Sequence, residues 1–155
     1  MITDRIKNKE LLKRIGTPND AAELIKDGMT VGTSGFTFSG YPKSVPMALA
    51  KRIKNGEKIK INLYTGASVG DELDGELARV GAIKKRFPYQ THKDVRNAIN
   101  AGKIDYVDAH LSMSPQMVDY GFMGKIDVAI VEAVGITEKG YIIPTTSVGN
   151  SPTYV

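Results

Sequence analysis

Apolar residues recur along this chain in two alternating periods. Ala21, Ala22, Leu24 and Ile25 fall on one side of a short helical stretch that Thr17 caps, Pro18 starts and Gly28 follows. Met29 to Thr33 reads as a short strand. Pro42 to Asn55 returns to helical spacing, with Val45, Leu49 and Ile53 four residues apart and Gly56 closing the element. Lys58 to Thr65 reads as a strand around Ile59, Ile61 and Leu63, and a weaker helix is predicted over Leu73 to Val80. Thr91, with Asp94 three residues on, resembles a capping box for a helix that carries Val95, Ala98 and Ile99 and ends at Gly102. Ile104 to Ala109 is a predicted strand, and Ser114-Pro115 opens a short helix ending near Gly121 or Gly124. Ile126 to Val134 is a run of β-branched and small apolar residues, the pattern of a strand covered on both faces. A hairpin-like pair is expected around Tyr141 to Ile143, and the final SVGNSPTYV reads as the approach to a further element.

Strands that alternate with helices predict parallel βαβ units in a three-layer α/β/α fold with a mainly parallel sheet. Val31, Ile61, Leu63, Val128, Ile130 and Val131 are the expected sheet core. The chain of 155 residues is read as one domain, long enough to bury roughly 70% of the surface its unfolded form exposes.

Composition narrows the function classes. The apolar share of 41% and charged share of 25% are those of a folded soluble domain rather than a disordered one. Without cysteine there is no disulfide, thiolate nucleophile or Cys-based zinc site. The opening MITDRIKNKELLKRI has no apolar core of a signal peptide, and no run approaches the ~18 apolar residues of a membrane span, so a cytoplasmic protein without membrane partners is expected. The net charge of +4 suits anionic ligands and equally suits a solvated basic surface. Nucleic acid is not expected as a partner, because no basic stretch is interleaved with aromatic residues.

Two glycine-rich loops follow predicted strands, where α/β proteins bind ligands. The first, Val31-Gly-Thr-Ser-Gly-Phe-Thr-Phe-Ser-Gly-Tyr-Pro-Lys43, has backbone N–H groups able to converge on an oxyanion or carboxylate. It is neither a P-loop nor a dinucleotide fingerprint: Gly40 is followed by Tyr41-Pro42, and Thr33 by Ser34. The second, Thr65-Gly-Ala-Ser-Val-Gly70, offers the Ser68 hydroxyl. Each loop also has a plain reading, as a chain reversal for the first and a serine-capped turn for the second. Asp71, Glu72, Asp74 and Glu76 form an acidic cluster that matches no calcium loop and suits a helix start. His92 is read as a surface residue, and His110 as hydrogen-bonded structure. Glu132 is read either as a carboxylate activated by apolar surroundings or as one paired with a neighbour.

The segments VGTSGFTFSGYPKSVP, LYTGASVGDELDGELA, NAINAGKIDYVDAHLS, IDVAIVEAVGITEKG and IIPTTSVGNS together resemble, in order, the N-terminal half of the acetyl-CoA hydrolase/transferase family, most nearly its succinyl-CoA:acetate CoA-transferase branch. No motif of that family guides the reading of Lys84 to Gln90. The resemblance implies the fold shared with phosphosugar isomerases, in two related halves. It implies a reaction in which an active-site glutamate attacks an acyl-CoA, and the resulting glutamyl-CoA thioester passes CoA to an acceptor carboxylate such as acetate. That glutamate and the glycine-rich CoA cradle belong to the family's C-terminal half, so residues 1–155 are expected to hold no catalytic residue and to be inactive alone. Gly35, Phe36 and Thr37, with Gly66, Ala67 and Ser68, are the substrate-pocket residues that the matching motifs imply. Glu132 is not the family nucleophile.

The resemblance further implies no tightly bound cofactor and no metal, with the CoA thioester as substrate. The expected partners are the small carboxylate, the acyl-CoA, and a C-terminal half or separate partner subunit. Apolar surface left by an absent half invites a homo-oligomer. A stand-alone module binding a small carboxylate or phosphate is the alternative, as is one subunit of a two-chain transferase.

Overall fold

The structure, a computed structural model, describes residues 2–155. A 3-10 turn (Ile2–Arg5) leads into helices α1 (Lys9–Leu12) and α2 (Pro18–Glu23). Next come β1 (Thr30–Thr33), β2 (Phe36–Thr37), α3 (Ser44–Lys54), β3 (Ile61–Tyr64) and β4 (Ala67–Ser68). A π-helical turn (Asp71–Gly75) runs into α4 (Glu76–Arg79), followed by β5 (Ile83–Phe87), α5 (Lys93–Asn100), β6 (Asp105–Tyr106) and α6 (Ser114–Asp119). The chain finishes with β7 (Val128–Ile130), β8 (Ala133–Ile136), β9 (Ile142–Pro144) and α7 (Ser151–Tyr154).

Five of these strands form one sheet in the order β6-β5-β3-β1-β7, parallel throughout. Side chains alternate across a strand, and a register shift between β3 and β5, where Ile61 pairs with Ile83 but Asn62 with Lys85, resets the alternation in β5, so that the core divides in two. Val31, Ile61, Leu63 and Ile83 face the layer formed by α2 to α5, where they pack with Ile25, Leu49, Leu73, Leu77 and Val95. Tyr64 and Phe87, the neighbours in sequence of Leu63 and Arg86, face the other way and pack with Tyr154 of α7 and residues around α6. The two layers on a parallel sheet are the α/β/α arrangement expected. Among the described residues no helix is long and apolar enough to cross a membrane.

Several local expectations change. Thr17 does cap α2 through a capping box with Asp20, but the helix stops at Glu23, and Leu24 points outward, 68% exposed, while Ala22 and Ile25 are buried. The N-cap of α5 is His92, whose Nδ1 accepts from the Asp94 amide at 3.2 Å, and not Thr91. The Asp94 carboxylate is engaged by Arg79 at 2.9 Å instead. The apolar run after Ile126 splits: β7 has one neighbour, β1, and β8 turns away to pair antiparallel with β9. Val128, Ile130 and Val131 are therefore half-buried rather than covered on both faces. The hairpin expected around Tyr141 is the β8–β9 pair. Strand β5, in the stretch without a guiding motif, is an interior strand of the sheet, between β6 and β3.

These placements separate two leucines that the apolar pattern puts on a predicted helix and a predicted strand. Leu63→Ala empties a fully buried site and is expected to cost about 2–5 kcal/mol, whereas Leu24→Ala is expected to stay within about 0.5 kcal/mol of the parent. Urea denaturation of the two variants measures both.

Candidate functional site

From β1 the chain crosses to β3 and onward to β5 and β6 on one side, whereas β7 returns to the other side of β1. The order reverses beside β1, and in open parallel sheets the ligand crevice lies outside the carboxyl ends of the strands at such a reversal. Three segments leave those ends: residues 34–43 after β1, residues 65–70 after β3, and Val131-Glu132 after β7.

The two glycine loops meet there. β2 and β4 pair in parallel, Phe36 opposite Ala67 and Thr37 opposite Ser68. The pairing brings together the two tripeptides singled out in the sequence. Thr37 has φ of +50°, a conformation a β-branched residue adopts only when its surroundings impose it, and such strain clusters at functional sites. Phe36 and Phe38 stand exposed on the rim.

A third segment, residues 147–154, locks these loops. The Phe36 amide donates to the Ser39 carbonyl at 2.9 Å and to Ser147 Oγ at 3.0 Å, and Ser147 Oγ donates to the Ser39 carbonyl at 2.7 Å. The Asn150 amide donates to Ser34 Oγ at 2.9 Å, and its side chain donates to Ser114 Oγ at 2.6 Å. The Tyr154 hydroxyl donates to the Thr65 carbonyl, and burial pushes this phenol up to about 12. The Phe36 amide is therefore engaged within the protein and is not held out to an anion. Close approach explains two glycines: a Cβ on Gly35 would run into the Ser39 carbonyl and the Tyr41 amide, and one on Gly66 would run into Ser34 Oγ and Asn150. Residues 147–150 lie within a quoted motif, yet nothing in their pattern marked them as the clasp.

The Ser68 side chain is fully buried and its Oγ has no hydrogen-bond partner among the described residues, so it caps no turn. The acidic cluster is also more than a helix start. Asp74 is fully buried and pairs at 3.1 Å with an equally buried Arg86. Burial pushes the Asp74 carboxyl up, and the Arg86 charge opposes that push. Glu72 accepts from the Tyr41 hydroxyl, which holds it below the usual carboxylate range. Burial, with Glu72 alongside, pushes the Tyr41 phenol well above its ordinary value. Asp71 is held low by Arg79 and His92, and Glu76 by Lys54 and Arg79.

Asp71, His92 and Asp94 gather closely enough to hold a metal ion. Arg79 already lies 2.8 Å from Asp71 and 2.9 Å from Asp94, so a cation of the protein's own fills that role. His92 is thus a cap and a hydrogen-bond partner of Asp71 rather than a free surface side chain. His110 hydrogen-bonds Ser112 Oγ at 2.8 Å. Glu132 takes the paired reading: burial raises its carboxyl, but Lys43 at 2.9 Å and Thr145 at 2.8 Å outweigh it and hold it low.

Asp71, Glu72, Glu76, Asp127 and Glu132 thus share one sign, a folded pKa below the ordinary value. Such groups add stability above the unfolded pKa, which is lost as pH falls through the folded one. Denaturation midpoints measured across pH are expected to hold steady down to about pH 5 and to drop below about pH 4. Gly66→Ala, which forces Ser34 and Asn150 apart, is expected to cost about 1–3 kcal/mol in the same assay.

A model of the acetyl-CoA hydrolase/transferase N-terminal domain matches residues 1–155. The succinyl-CoA:acetate CoA-transferase of Clostridium kluyveri is 50% identical over 152 residues, which cover 97% of this chain and 28% of that protein. The acetyl-CoA hydrolase of Schizosaccharomyces pombe is 42% identical over 98% of this chain and 31% of its own length. The propanoyl-CoA:succinate CoA transferase of Escherichia coli is 43% identical over 90% and 29% respectively. The chain spans less than a third of the length of these relatives. Among solved structures, the acyl-CoA transferase YdiF apoenzyme from Escherichia coli O157:H7 aligns with a TM-score of 0.57 at 16% identity, over 69% of this chain and 22% of that one, a likeness of fold. With a family match along all 155 residues, the chain belongs to the acetyl-CoA hydrolase/transferase family, as its N-terminal domain.

Proposed function

We propose that this chain supplies one wall of the active site of an enzyme that moves CoA between an acyl-CoA and a small carboxylate such as acetate. The family match over the whole chain carries this reading. In support, both loops named by the family motifs converge at the carboxyl rim, beside the reversal of strand order. The names of the relatives, which include both CoA-transferases and acetyl-CoA hydrolases, supply the reaction class.

In this reading a glutamate outside residues 1–155 attacks the acyl-CoA, and a glutamyl-CoA thioester then hands CoA to the acceptor carboxylate. Oxyanions form along that route and need donors already in place. Ser68 is assigned the acceptor carboxylate, because its hydroxyl is a donor that no other described residue uses. The side chain is fully buried, so a ligand reaches it only as the neighbouring loop shifts. Gly35, Phe36, Thr37, Gly66 and Ala67 shape the surrounding wall. Glu132 does not attack: its oxygens are engaged by Lys43 and Thr145.

The purified chain is expected to transfer no CoA from succinyl-CoA to acetate above background. Robust turnover would place the nucleophile within residues 1–155, and Glu132→Gln would then identify or clear the first suspect. In the full-length enzyme, Ser68→Ala is expected to leave the melting temperature nearly unchanged and to lower kcat/KM for acetate about 10- to 100-fold, the loss expected for a hydrogen bond to a charged group. Unchanged acetate kinetics would remove Ser68 from the pocket.

A further inference from the structure

Below the Thr65–Ser68 turn lies a polar cluster that the proposed chemistry leaves unused. Its centre is Arg86 of β5, a strand reading Ile-Lys-Lys-Arg-Phe, with a side chain that is 0% exposed. One terminal nitrogen of the guanidinium donates to Thr65 Oγ1 and to the Phe87 carbonyl at 3.3 Å. The other donates to Asp74 Oδ2 at 3.1 Å and reaches the Ser68 carbonyl at 3.5 Å. Arg86 therefore touches both ends of the turn, while Asp74 reaches it from the π-helical turn, a type of irregularity common at functional sites.

Packing alone does not account for this arrangement. Apolar residues of similar volume fill such a space at equal or better stability than a buried ion pair. What apolar residues cannot do is fix several oxygens at set positions, as a planar guanidinium with a rigid fork of donors does. Among the described residues, Asp74 Oδ1, Arg86 Nε and Ser68 Oγ also remain without hydrogen-bond partners. The cluster is thus not a closed network that satisfies its own members, and buried polar atoms left in this state call for a role.

We propose that Arg86 is a positioning residue, holding Thr65 and Ser68 at the spacing the acceptor-carboxylate pocket requires, with Asp74 as the counter-charge that aims the guanidinium. The inference rests on the pocket reading above. Arg86 acts through the turn and does not touch the substrate.

The test uses the full-length enzyme and the double variant Arg86→Met/Asp74→Leu, which removes the pair without stranding a buried charge. The variant is expected to melt within a few degrees of the parent. Amide exchange at Gly66 to Val69 is expected to quicken by about tenfold or more, and KM for acetate to rise about tenfold, with KM for succinyl-CoA changed less than about twofold. Arg86→Lys keeps the charge and Asp74's partner but loses the fork. It is expected to raise KM for acetate by a smaller factor, and it carries the test by the same two measurements if the double variant does not fold. A folded variant with parental exchange and parental acetate KM overturns the proposal and leaves the pair a packing feature. Faster exchange with an unchanged acetate KM overturns it as well, and moves the acceptor away from this turn. A parent enzyme without transferase activity defeats the proposed function separately, and the calorimetric affinity for acetate then takes the place of KM in deciding the role of Arg86.

Discussion

A guanidinium and a carboxylate taken fully out of water are costly to bury, and their attraction offsets that cost only when their hydrogen bonds are also made. The Arg86–Asp74 pair imposes this condition on the carboxyl rim of the sheet. It fixes β5, the turn after β3 and the π-helical turn against one another. A chain of polar contacts continues from there. Glu72, two residues before Asp74, accepts from Tyr41. Lys43 lies over the Tyr41 ring at 4.2 Å and pairs with Glu132, which in turn accepts from Thr145. The contacts run from β5 past the carboxyl ends of β3 and β1 to Glu132, two residues after β7. The rim is therefore braced by charge across the same ends from which the glycine loops emerge.

The side chains on this rim are suited to hold and orient rather than to attack. Both histidines have structural partners: His92 caps α5 and meets Asp71, and His110 bonds Ser112. There is no cysteine, and the Glu132 carboxylate is held below its ordinary range by Lys43 and Thr145. A serine becomes a nucleophile only beside a base, and Ser68 Oγ has no hydrogen-bond partner among the described residues. These facts agree with a domain that shapes a pocket while the attacking group comes from elsewhere. The strain at Thr37 and the three-way contact among residues 34–40, 65–68 and 147–154 describe a wall built by distant segments.

Much of the architecture was legible along the chain. Helix α3 follows from Val45, Leu49 and Ile53 with Gly56 behind them, and β1 and β3 from short apolar runs bounded by glycine and polar residues. Their glycines and their places after predicted strands, together with the family motifs, named the two loops that β2 and β4 then brought side by side. Strand β5 was hidden, because Lys84, Lys85 and Arg86 carry no apolar alternation and the burial of Arg86 depends on an aspartate twelve residues upstream. The opposite error arose at Val128 to Val131: the run is apolar enough for a covered strand, but its position at the sheet edge leaves it half-buried.

By itself, the sequence determined the alternation of strand and helix, some element ends, such as the Thr17 cap of α2, and the family. These depend on near neighbours or on residues that keep their order along the chain, and both are visible in one dimension. The tertiary structure decided which charges are buried, which loops share a rim and which hydroxyl is left without a partner. Each of these depends on residues far apart in the chain, such as Ser34 with Asn150 or Lys43 with Glu132. The cost of burying a charge is set by what folding places beside it, and no local pattern records that neighbour.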